Sequence, residues 1–164
     1  MTIVLIIGAI IIIGILLTIR IKHLVGRRKT EIEIIHSQQL VNEAINYLFK
    51  NTTFEHGLKL PKNINSTLTA NIWGHNVMAF EIKIYYEQRL DPKELQQHFN
   101  NDLKQYCADK NLPKLDTEIA PIVITDLWYD QIHPILHIDV ANVSNQQTVA
   151  YLHDLKKLNQ PFQT

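Results

Sequence analysis

From Thr2 to Ile19 the chain carries no charged side chain, and thirteen of these eighteen residues are Leu, Ile or Val. A helix made from that run presents hydrocarbon on every side, which a half-buried soluble helix does not do. At ~1.5 Å per residue the segment spans about 27 Å, near the thickness of the apolar core of a bilayer, and Ile21 extends it. At about 0.3–0.6 kcal/mol per central aliphatic residue, insertion is favoured by about 4–8 kcal/mol before losses at the ends and at the two glycines. The expectation is a single transmembrane anchor helix over residues 1–19. A signal peptide needs a basic stretch before the apolar run and a small-residue cleavage site after it, and neither pattern is present, so the segment is expected to be retained. The sole cysteine, Cys107, is remote from it and Thr2 replaces the glycine that myristoylation requires, so the helix alone is expected to anchor the chain.

Residues 20–35 form a basic juxtamembrane linker, with Arg20, Lys22, Arg27, Arg28 and Lys29 all C-terminal to the apolar run. The positive-inside bias then places the N-terminus outside and the remainder in the cytoplasm. The same cations suit contact with anionic membrane lipid, at about 1 kcal/mol per residue near the surface. Setting these five aside leaves eleven Lys plus Arg against sixteen Asp plus Glu, a formal charge of minus five. An acidic domain argues against nucleic acid as a partner, because phosphate binding is driven by basic surface. One cysteine permits no internal disulfide and fits a reducing compartment. The Asn-x-Ser/Thr triplets at Asn51, Asn65 and Asn142 carry meaning only for a domain facing a secretory lumen.

Residues 36–160 are long enough for one packed domain, followed by a short tail at 161–164. Leu40, Val41, Ala44, Ile45, Leu48 and Phe49 recur at spacings of three and four, predicting an amphipathic helix that ends near Gly57. LKLPKNIN at 58–65 reads as a loop. TLTANIW and VMAFEIKIYYE alternate with period two around the turn-like GHN and predict a hairpin, with Phe80, Ile82 and Ile84 on one face and Glu81 and Lys83 on the other. Asp91 stands as an N-cap before Pro92, with Glu94 three residues on, opening a helix to about Lys110 buried along Leu95, Phe99, Leu103 and Tyr106. APIVITDLWYD, HPILHIDVAN and SNQQTVAYLHDLKKL repeat the strand, strand, helix order. FEIKI lies over LHIDV and FNNDLK over YLHDLK, which suggests a duplicated ββα block.

The predicted fold class is therefore α+β, of order αββαββα, with a four-stranded antiparallel sheet and helices on one face, a permuted ferredoxin-like arrangement. In element order it resembles the small helix-strand-strand domains of membrane-anchored assembly-platform proteins in secretion and pilus systems. That resemblance implies an exported domain, opposite to the side that the charges favour.

For chemistry, the strongest candidates are His137 and Asp139, which share one strand face with His133. At ~3.3 Å per residue His133 and His137 would stand about 13 Å apart on a strand, too far for one metal ion, so a metal would need a third ligand such as Glu81. Polar residues on a solvent-facing strand are the plainer expectation, with no metal and no cofactor. His153 and Asp154 diverge on a helix, and Cys107 reads as a packed thiol. No nucleotide-binding, zinc-protease or hydrolase signature occurs, so no catalytic residue is assigned. Trp73 and Trp128, at corresponding strand ends, either close the core, the favoured reading, or form a partner surface. Gly14 and Thr18 make a small-residue pair in the apolar helix. The expected function is a membrane-anchored binding or assembly module on the cytoplasmic face, contacting a protein partner or itself through a sheet edge or face. The alternatives are a membrane-bound enzyme or metal protein using His137 and Asp139, and an exported domain of a secretion or pilus-like assembly.

Overall fold

The structure is a computed structural model that describes residues 2–51, 58–59, 64–69 and 76–158. Trp73 lies outside the described residues, as do the side chains of residues 2–11 and of His23, Arg27, Asn51 and Lys59. The elements are α1 (Thr2–Asn51), β1 (Leu58–Lys59), β2 (Thr67–Leu68), β3 (Ala79–Tyr86), α2 (Pro92–Asp109), β4 (Ile122–Tyr129), β5 (Ile135–Asn142) and α3 (Gln146–Leu158). They fall into two compact units, Met1–Ile35 and His36–Thr164.

In the first unit, residues 20–35 are helical throughout, because Arg, Lys, Glu, Leu and Ile are good to fair helix formers and only Gly26 interrupts them. Among the described residues no helix is long and apolar enough to cross a membrane. The anchor expected at 1–19 therefore has no support in the structure, and the side chains of more than half of it lie outside the described set.

The second unit is α+β. Its sheet is antiparallel, with β1 and β2 sharing the outer edge of β3, followed by β5 and then β4. Leu58 and Lys59, read from the sequence as loop, pair with Tyr86 and Tyr85. Phe80, Ile82 and Ile84 stand opposite Val140, Ile138 and Leu136, and all six are buried. Val41, Ala44, Ile45 and Leu48 of α1 are buried as well, as are Leu95, Phe99 and Leu103 of α2 and Ile122, Ile124 and Leu127 of β4. Phe49 and Phe99 meet edge to face at 5.4 Å, joining the two helices.

The expectation of helices on one face is corrected by α3. Its Val149 and Leu152 cluster with Ala141 and Val143, and Tyr151 packs on Ala79. Ala79 and Ala141 alternate away from Phe80 and Val140, so α3 lies on the opposite face of the sheet from α1 and α2. The helices that follow the two hairpins are thus on different sides, and the ββα blocks are not equivalent in space. Thr148 Oγ1, at the start of α3, accepts the Met78 amide at 2.9 Å and holds it over one end of the sheet.

Helix α2 begins as its sequence requires, with the Asp91 carboxylate accepting the amides of Lys93 and Glu94, each at 2.9 Å. Asp91→Ala is expected to cost about 1 kcal/mol of domain stability and Asp91→Asn much less, as read by chemical denaturation. The same helix engages the outer edge of the sheet at Ile124. Asn100 donates to the Ile124 carbonyl at 3.0 Å and accepts its amide at 2.7 Å, while Gln96 donates to the same carbonyl at 3.1 Å. These amides occupy backbone groups of β4 that would otherwise be open to another strand.

Candidate functional site

Just past Ile124 the strand changes the side to which its residues point. The β4–β5 register slips between Ile124 and Asp126, a bulge that absorbs Thr125. Simple alternation would send Asp126 and Trp128 into the core with Ile122 and Ile124. The bulge reverses the parity, so Leu127 is buried and Asp126 and Trp128 emerge on the α3 face. Thr125 Oγ1 steadies the bulge by donating to the Asp139 carbonyl at 3.2 Å.

That face carries two cross-strand rows, the first of them in reach of Tyr151 of α3. One places Asp126, Asp139 and Glu81 side by side, and the next places Trp128, His137 and Lys83 side by side. Trp128 is 42% exposed, not closed into the core as favoured from sequence, and its indole lies parallel to the His137 ring at 3.7 Å. This lid leaves His137 only 6% exposed, where the sequence suggested a solvent-facing histidine.

His137 Nδ1 is 2.6 Å from Glu81 Oε1, and Glu81 Oε2 is 3.3 Å from Lys83. Nε2 is buried without a hydrogen-bond partner among the described residues, its nearest acidic neighbour being Asp130 Oδ2 at 3.8 Å. Asp130 belongs to the turn before β5, where its carboxylate accepts the amides of Ile132 and His133 at 2.7 and 2.8 Å. Those bonds, from His133 first and Ile132 second, hold its carboxyl below the ordinary range, with help from the charges of His133 and His137. His133 lies in this turn and not on β5, so the 13 Å strand separation does not apply. Its Nδ1 stands 3.6 Å from Asp130, on the same carboxylate that faces His137.

Asp139 is the most perturbed group of the face. Burial first, then the neighbouring Glu81 and Asp126 carboxylates, push its carboxyl up to about 6, against a smaller pull from His137. Tyr151 of α3, packed near it, is raised by burial and then by Asp139 and Asp126. Beside these groups, Ile119, Val123, Leu152 and Leu155 line an apolar groove of about 410 Å³ between α3 and β4.

The geometry brings His137, Asp139 and Trp128 together with Glu81 and adds Asp126, Asp130, Lys83 and Tyr151. A carboxylate on Nδ1 is the arrangement that orients an imidazole for metal ligation or proton transfer. Here, however, Nε2 is covered, and among the described residues no three His, Cys, Asp or Glu side chains are grouped to hold a metal ion. The Glu81–His137 pair works as a latch between β3 and β5 beneath an exposed indole. Cys107 is buried, and burial raises its thiol. His153 engages Asp116 at 3.1 Å, tying α3 to the loop before β4. Arg20, Lys22, Arg28 and Lys29 are exposed on α1. Comparisons with protein-family models, curated proteins and solved structures find no match to this chain.

Proposed function

We propose that the chain is a single-pass, membrane-anchored binding module whose folded unit lies on the cytoplasmic face and has no catalytic role. The observation that carries this reading is the run of large aliphatic side chains between Ile12 and Ile35 of α1. Eleven of them are more than half exposed, on all sides of the helix. Water is a poor solvent for such a surface, at about 25 cal/mol per Å² of apolar area, and bilayer hydrocarbon is a good one for its N-terminal part. Arg20, Lys22, Arg27, Arg28 and Lys29 then border the lipid and set the orientation.

The surface assigned to partner binding is the half of the sheet that α3 leaves open, since Asn100 and Gln96 engage the β4 edge. Trp128 and Tyr85 expose aromatic area there beside Asp126, Asp139 and Glu81. Rings among carboxylates complement a protein segment bearing Lys or Arg. Nucleic acid does not suit that charge.

A reporter joined after Thr164 tests the reading. Activity only on the cytoplasmic side, with the protein in the membrane fraction, is the expected result; activity only outside favours the exported-domain alternative and removes this one. The enzyme or metal-protein alternative draws on the partnerless His137 Nε2 and the raised Asp139 carboxyl. Stoichiometric metal in the purified chain, lost in His137→Gln, is the result that favours it.

A further inference from the structure

We infer that a second copy of this chain covers the stripe Ile21, Val25, Arg28, Ile32 and Ile35, with the two α1 helices parallel and in register. These residues follow one another at intervals of four, three, four and three, the spacing that keeps one seam of a helix facing a neighbour. The four apolar members are each 55–67% exposed, and residues 1–35 form a unit separate from the folded one. The seam extends upstream at the same spacing through Thr18 and Gly14, whose small size lets helices approach. Thr18 Oγ1 already donates to the Gly14 carbonyl at 2.8 Å, so its hydroxyl is satisfied within its own helix.

Lipid cannot be what covers the far end of this seam. Ile32 is twelve residues beyond Arg20, about 18 Å further along the helix, which is past the interfacial zone if the chain is anchored as proposed. That step rests on the anchored reading, whereas the spacing and exposure do not. A stripe of this kind is self-complementary about a twofold axis, and tethering to one membrane presents two copies in the same orientation. Four side chains exposing on the order of 100 Å² each, counted on both copies, bury at most roughly 800 Å², below the ~1,200 Å² of a stable free interface, so the pairing depends on the tether. Arg28 within the seam costs stability and fixes register, as a polar residue at a seam position does.

The test uses the full chain in its membrane, in a Cys107→Ser background with single cysteines at Val25, Ile32 or Glu33. Disulfide-linked dimer on oxidation of Val25→Cys and of Ile32→Cys, with little from Glu33→Cys on the flank, is expected; two seam positions a heptad apart cross-link together only in a parallel, in-register pair. Ile32→Lys should lower the Val25→Cys product about tenfold by adding a second cation to a seam that already holds Arg28, and Arg28→Leu should raise it. No cross-link at either seam position, or equal cross-linking at Glu33, overturns the inference. Membrane fractionation of the same samples separates the two ideas. Seam cross-links in a chain that does not sediment with membranes leave the pairing standing and remove the anchor, and a sedimenting chain without them does the reverse.

Discussion

Asp139→Asn is expected to stabilise the folded unit by about 1–3 kcal/mol at pH 7.5, and to raise its unfolding temperature by about 5–10 °C. The carboxyl titrates at about 6 in the folded chain because it is buried between Glu81 and Asp126, against about 3.9 when unfolded. An acid whose folded value is raised contributes stability that is complete below the unfolded value and is lost as pH rises through the folded one. The native unit should therefore lose stability between about pH 4 and 6 on account of this group, and the asparagine variant should not. Thermal unfolding of both chains across that range checks it. Curves that stay parallel, with no gain above pH 7, mean that Asp139 is more solvated than its strand neighbours imply.

Phe99→Ala is expected to cost about 3–5 kcal/mol, a large part of the stability of a domain this size. Phe99 is fully buried, and its edge-to-face contact with Phe49 joins α2 to the end of α1. Truncation leaves a cavity that the sheet cannot fill, because Phe80, Ile82 and Ile138 are held by strand pairing. Phe99→Leu refills part of it and should lose less. Denaturant titration gives both values, and a loss below about 1 kcal/mol for the alanine variant contradicts the packing described.

The parts of the fold legible in the chain were those determined locally. Strict alternation from Met78 to Tyr86 places Phe80, Ile82 and Ile84 in the core with no outside information, since a strand side chain has only two sides to choose between. Asp91 and Pro92 start α2 through groups one to three residues away. The three-and-four spacing from Val41 to Phe49 likewise marks the buried side of α1. These readings need only the geometry of one element.

The candidate site was legible only in fragments. His137 and Asp139 stood out by residue type, and Glu81 could be named as a neighbour. Asp126 and Trp128 sat on the wrong side of β4 by simple alternation, because the strand bulges at Thr125, next to the Ile124 backbone that Asn100 engages from another helix. A residue's parity along a strand is local, but a slip in that parity shows only in the pairing with β5, a strand distant in the chain. The burial of His137 follows from the same slip, since only then does the indole reach its ring.

Composition and periodicity alone determined that this chain pairs an uncharged apolar run and a basic flank with an acidic α+β domain, because charge, hydropathy and repeat spacing are properties of the residues themselves. Which side of the sheet α3 covers, which edge α2 engages and which carboxylate loses its ordinary acidity were decided by tertiary structure. Each of those depends on side chains from separate elements meeting within a few ångströms, and an amphipathic stripe says that it will be buried without saying against what.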